Sequence, residues 1–288
     1  MALTAATTPF VDEFKDGLNL VDGWALLSMG DFIADDGEAV MSDRGITVSP
    51  PARNPATGKP AFTKAIGGPL GHLKWVAMTQ QAFSTGDGEL RFQFRAGCEC
   101  FGLADHPYGD DVADTDTDLR LGAATLNVID MTTGMVFDFW ITNGAIYPLY
   151  ERLGIGDHNF EAFVQVANPV SRAPGDTHDL CIAIDVTAGS VRWEVNGDVV
   201  ATITSIGPSD SSWTTLIDLG GKPEHVKPSD FHGALGLMTL LDSALPPIHT
   251  GLVDLGVEIV SPKTFHGGPL IFGQGAELRV ERFAVTQG

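Results

Sequence analysis

Ser190–Thr204 reads SVRWEVNGDVVATIT. Val191, Trp193 and Val195 alternate with polar neighbours, Asn196-Gly197 follows, and Val199, Ala201 and Ile203 resume an apolar row. An Asn-Gly pair accepts the positive φ angles of a type I′ turn, whose twist matches that of the strands it joins. The stretch predicts a tight antiparallel hairpin, and its period of two is the one in which the rest of the chain is read.

That period recurs. Leu90, Phe92, Phe94, Ala96, Cys98 and Cys100 share one face of a strand, with Arg91, Gln93, Arg95 and Glu99 on the other. Phe137, Phe139 and Ile141 alternate with Asp138, Trp140 and Thr142, and Leu180, Ile182, Ile184 and Val186 form a further row. The 34 glycines and 17 prolines are spread along the 288 residues, which suits many short elements joined by turns. Helical patterns are short: Tyr147–Leu153, and a turn near Pro228–Phe231. No repeat of fixed period stands out. The reading is an all-β chain, an antiparallel two-sheet jelly-roll sandwich with long rim loops, residues 1–288 forming a single domain.

VDEFKDG (Val11–Gly17), Trp24, Gly37, Gly45, the WEVNGDVV hairpin and the terminal GAELRVERFAV (Gly275–Val285) together resemble the concanavalin A-like lectin/glucanase sandwiches. The resemblance implies two curved sheets, a concave face with ligands at its rim, and pairing of the first and last strands. GALGLMTLLD and FGQGAELRVERF are similar to a bacterial family of unknown function, which implies no activity.

Composition narrows the function. A net charge of −20 opposes partnership with nucleic acid or with an anionic membrane, since each phosphate contact needs a cation. No run approaches the roughly 18 apolar residues of a membrane helix. The start, MALTAATTPFVDEF, lacks the basic and apolar regions of a secretory signal. Three cysteines are too few for a disulfide framework. Cytoplasmic residence is therefore expected, which disfavours digestion of extracellular polysaccharide. Oligomeric state is left open.

GCECFGLADHPYGDDVADTDTDLRLG (Gly97–Gly122) invites a metal reading and resists it. Cys98-x-Cys100 with His106 lacks the spacing and fourth ligand of structural zinc, and alternation sets both cysteines in the apolar row. Asp114, Asp116 and Asp118 imitate the start of a calcium loop, but Leu119 and Thr125 stand where glycine and glutamate belong. The expectation is core, rim turn and solvated return in succession, with no metal. P-loop, Rossmann, G-x-S-x-G and H-E-x-x-H motifs are absent, so no cofactor is expected. Glucanases of the resembled fold place E-x-D-x-E on one strand, and no such run occurs here; their catalytic residues are not carried over.

The densest candidate is FDFWITNGAIYPLYERLGIGDH (Phe137–His158). Aromatic rings form a wall for sugars or polycyclic ligands, and tyrosine and carboxylate transfer protons. The first expectation is a cofactor-independent acid–base enzyme, a cyclase, isomerase or lyase acting on a small apolar or polycyclic metabolite in natural-product biosynthesis. Asp138 or Glu151 is its base, Tyr150 its acid and Arg95 its anion stabiliser, with Trp140, Tyr147, His106 and Tyr108 binding substrate. The bland alternative is a helical turn clamping a sheet edge, with Glu151 and Arg152 solvated. Two other functions stay open: a noncatalytic carbohydrate-binding, lectin-like module, and a glycoside hydrolase with a non-standard carboxylate pair.

Overall fold

The computed structural model describes residues 9–63, 70–86, 88–104, 106, 110, 112–154, 159–240 and 274–288. An eight-stranded sheet holds β1 (Phe10–Asp12), β5 (Glu38–Ser42), β6 (Gly45–Ser49), β8 (Leu90–Phe101), β14 (Thr177–Asp185), β15 (Ser190–Val195), β16 (Asp198–Ile203) and β19 (Gly275–Gln287). They run in the order β16-β15-β14-β8-β19-β6-β5, with β1 also on β19. A nine-stranded sheet holds β2 (Trp24–Leu26), β7 (Leu73–Thr79), β9 (Ala123–Asp130), β10 (Met135–Ile141), β11 (Ala145–Arg152), β12 (Ala162–Val166), β13 (Val170–Ser171), β17 (Thr214–Gly220) and β18 (Phe231–Met238). Its order is β17-β12-β11-β10-β9-β18-β7-β2, with β13 on β11. A small hairpin, β3 (Ser28–Met29) and β4 (Phe32–Ile33), stands apart.

The expected hairpin forms as β15–β16. Val195 faces Asp198 across the turn, and Asn196 and Gly197 take φ of 53° and 90°, the two positive angles a type I′ turn requires. The chain ends meet as the resemblance implied, with Phe10–Asp12 antiparallel to Phe283–Val285.

One face of each sheet turns inward onto a shared core that holds Phe92, Phe94 and Phe283 from one sheet and Phe137, Phe231 and Tyr150 from the other. Cys98 and Cys100 lie in that core, buried as the alternation predicts, with their sulfurs 3.6 Å apart. Gly233 leaves room for Phe283: a Cβ there would stand 2.4 Å from the ring.

The nine-stranded sheet is also apolar on its other side. Val76, Trp140, Leu149, Val166, Ala234 and Met238 form a second cluster there, against which Leu27, Phe32 and Leu119 pack. Every residue of β10 is buried, and β11 is nearly so. A strand covered on both faces loses its polar/apolar alternation. For that reason Tyr147–Leu153, expected to be helical, instead lies almost wholly in strand β11. Pro228–Asp230 likewise makes no turn and leads directly into β18.

The outer face of the eight-stranded sheet is different in kind, a ladder of ion pairs. Arg91 bonds Glu89 and Glu194, Arg192 bonds Glu89, and Arg95 bonds Asp179 and Glu281.

Candidate functional site

On β10, Phe137, Phe139 and Ile141 enter the shared core, so Val136, Asp138 and Trp140 face outward. Residues 142–144 return the chain as β11, with Ile146 opposite Ile141. That register sets Asp138 opposite Leu149 and Glu151 opposite Val136. Asp138 and Glu151 are therefore diagonal neighbours on one face, within reach of each other's side chains.

Their carboxyl groups hydrogen-bond to one another in an almost closed environment, with Asp138 3% and Glu151 9% exposed. The Trp140 Nε1–H donates to Asp138 Oδ2 at 3.3 Å. Asp138 Oδ1 meets no N–H or O–H donor among the described residues. Two carboxyl oxygens attract only with a proton between them. Burial, and then the charge of Glu151, hold the Asp138 carboxyl well above its ordinary range. Burial raises Glu151 from 4.5 to about 7, against the opposing pull of the Asp138 hydrogen bond. Asp138 thus keeps its proton and donates it to Glu151, while its Oδ2 accepts from Trp140.

The surroundings explain the burial. Glu151 lies between Val136 on β10 and Val164 on β12. Asp138 lies between Leu149 and Asn127 on β9. Asn127 donates from Nδ2 to Thr125 Oγ1 at 3.1 Å, and Thr125 is opposite Trp140. No guanidinium or ammonium of the described residues acts on either carboxyl. The strand is also held from the other sheet: the Trp193 indole N–H donates to the Asp138 backbone carbonyl at 2.9 Å.

Tyr147 lies across from Trp140 on the same face, half-buried, and donates its hydroxyl to the Thr117 carbonyl at 2.7 Å. It thereby ties the sheet to the acidic stretch. That stretch closes on itself, with the Asp116 N–H on Asp114 Oδ1 and Asp118 paired with Arg120. Asn143 donates to Asp116 Oδ1 and clamps both the N–H and the C=O of Cys100. Among the described residues no group of three His, Cys, Asp or Glu side chains is placed to hold a metal.

Two of the residues expected at one site are placed elsewhere. Tyr150 points into the shared core, its ring stacked on Phe137 at 5.9 Å. Its hydroxyl accepts from the Gly207 N–H at 2.8 Å and donates to the Pro208 carbonyl at 3.0 Å. Alternation along β11 puts it on the face opposite Glu151, so it is no acid for this pair. Arg95 belongs to the other sheet, exposed and engaged by Asp179 and Glu281; it stabilises no anion near Asp138. Arg152 is buried, not solvated, over the Phe160 ring and on the carbonyls of Gly207 and Glu224. His106 is half-buried beyond the end of β8. Tyr108 and His158 lie outside the described residues. Asp138, Glu151, Trp140 and Tyr147 do share one face. Thr125 and Asn127, which complete it, were legible only as two polar outward positions on the otherwise apolar ATLNVI.

A sequence profile of a family of unknown function, DUF6081, matches residues 11–288. The chain belongs to that family. The DUF6081 chain is also 35% identical over 128 residues to the uncharacterized protein L829 of Acanthamoeba polyphaga mimivirus, a match covering 42% of this chain and 27% of the relative. It thus spans about a quarter of the length of the curated relative it matches. Among solved structures it is similar to a Crh5 transglycosylase in complex with NAG, with a TM-score of 0.52 and 11% identity over 99% of this chain and 86% of that one. The apo Crh5 transglycosylase gives a TM-score of 0.50 at 12% identity with the same coverage. At such identities the likeness is one of fold, and the DUF6081 chain has the concanavalin A-like jelly-roll sandwich.

Proposed function

We propose that this chain binds a saccharide on the outer face of the nine-stranded sheet and acts on it by acid–base chemistry, as a glycoside hydrolase or transglycosylase with a non-standard carboxylate pair. The observation that carries the reading is the buried pairing of the Asp138 and Glu151 carboxyls beside Trp140. Only the middle of the three outer positions of β10 (Val136, Asp138 and Trp140) is acidic, and the second carboxyl comes from the neighbouring strand. In this reading protonated Glu151 gives its proton to the leaving glycosidic oxygen. The Asp138 O–H steadies the carboxylate that remains. That carboxylate then takes a proton from the water or sugar hydroxyl that replaces the leaving group. An acid poised near neutrality suits both steps. The half-buried Tyr147 ring supplies apolar surface for the sugar.

The likeness to a transglycosylase seen with NAG supports a saccharide over a polycyclic metabolite. The cyclase reading is further weakened because Tyr150 and Arg95 are not at the pair.

A binding-only module is the second reading, favoured by one observation. Glycosidases hold two carboxyls about 5–10 Å apart, whereas groups sharing a proton are closer than that. The test is incubation with a panel of soluble polysaccharides, following both binding and the release of new reducing ends or transfer products. Turnover that disappears in Asp138→Asn and Glu151→Gln supports the enzyme. Saturable binding without any product supports the module, and neither binding nor product overturns both.

A further inference from the structure

The Asp138–Glu151 pair differs from the carboxylates of the ion-pair ladder on the other sheet. On the eight-stranded sheet each carboxylate of the ladder meets a guanidinium of the chain itself: Glu89 and Glu194 meet Arg91, and Asp179 and Glu281 meet Arg95. At the pair the neighbouring strands present Thr125, Asn127, Leu149 and Val164, none of them cationic. The other ionisable neighbour on the face, Tyr147, is engaged by Thr117. His232 on β18 has its Nδ1 against the Thr79 carbonyl, and Lys74 on β7 is beside Asp36. Asp138 is 3% exposed, and its Oδ1 is without a donor among the described residues. A buried carboxylate is costly unless a cation or a proton accompanies it. The proton between these two groups occupies the place of a counter-charge that none of the described residues provides.

We infer that the saccharide taken at this face carries a free ammonium group, an amino sugar whose –NH₃⁺ sits between Asp138 and Glu151. The inference rests on the saccharide reading above and narrows its ligand. An ammonium offers three N–H donors and one positive charge, enough to satisfy two carboxyl oxygens. Neutral hydroxyls bring donors without the charge. A calcium ion asks for six to eight oxygen ligands, and the flanks of this pair are Val136, Leu149 and Val164, with Asn127 the one amide beside it. The Trp140 ring beside the pair adds attraction for a cation, and the half-buried Tyr147 ring on the same face adds a surface for the pyranose.

The test is calorimetric titration of the full chain at neutral pH with a glucosamine oligomer, the N-acetylated oligomer of equal length and a glucose oligomer. Each is run at physiological and at high salt, with and without added calcium. The expected result is that the glucosamine oligomer binds about tenfold or more tighter than the other two. Glu151→Gln and Asp138→Asn should each abolish that preference while still binding the neutral oligomer. Equal affinity for all three overturns the amino-sugar inference and leaves the saccharide reading standing. Binding of none overturns both. A preference that survives in Glu151→Gln and fades with salt reports attraction to the −20 net charge and overturns the inference. Loss of the preference on adding calcium also overturns it, in favour of a metal at the pair.

Discussion

Trp193, in the hairpin of the eight-stranded sheet, donates its indole N–H to the backbone carbonyl of Asp138 in the nine-stranded sheet at 2.9 Å. The two residues are 55 positions apart, and the bond crosses the whole core. It fixes the height of the strand whose outward side chain carries the shared proton. Trp193→Phe keeps most of the ring contacts with Phe137 and Trp213 and removes the donor. The expected loss is about 1–2 kcal/mol of stability, read by denaturant unfolding.

The pair itself predicts a pH dependence. The folded-state pKa of Glu151 is raised from 4.5 to about 7, so between those values the folded chain binds more protons than the unfolded one. Stability from this group is complete below about 4.5 and falls as pH rises toward about 7, by about 3 kcal/mol in all. The elevated Asp138 carboxyl acts in the same direction. Glu151→Gln removes the proton equilibrium and offers an amide donor to Asp138. The variant should match the wild type at pH 4 and exceed it in melting temperature at pH 8. A constant difference across that range would contradict the shared-proton account.

Tyr150→Phe separates structure from chemistry. Removing the hydroxyl strands the buried Gly207 N–H, which the tyrosine oxygen accepts at 2.8 Å, and should destabilise the fold by about 1–3 kcal/mol. Saccharide affinity, measured well below the melting temperature, should stay within twofold of the wild type, about the noise of such titrations. A large loss of affinity in a folded variant would return Tyr150 to the site.

Arg95→Ala should change little. Its partners Asp179 and Glu281 share an exposed face, where such pairs contribute about 0–1 kcal/mol. Ligand binding should be unaffected, which differential scanning calorimetry and titration together would check.

The sandwich was legible because its signals are local. Asn196-Gly197 encodes its own turn, and the alternation through Leu90–Cys100 encodes which side is buried. What stayed hidden depends on long-range pairing. Arg95 does face outward, but nothing local reveals that β8 pairs with β14 and β19 rather than with β10. Tyr147–Leu153 lost its alternation because both faces of β11 are covered, and without a strand there Glu151 had no register relative to Asp138. A second Asn-Gly, at 143–144, was the available clue to that hairpin. Its asparagine does not take a positive φ; its side chain turns inward onto Cys100.

The most direct measurement is the ¹³C carboxyl chemical shift of Glu151 followed against pH, in the wild type and in Asp138→Asn, with and without a saccharide that binds. The account predicts a midpoint near 7 in the wild-type chain, displaced both by the Asp138 substitution and by saturating ligand. A midpoint near the ordinary 4.5, or one that neither the substitution nor the bound sugar moves, would contradict it.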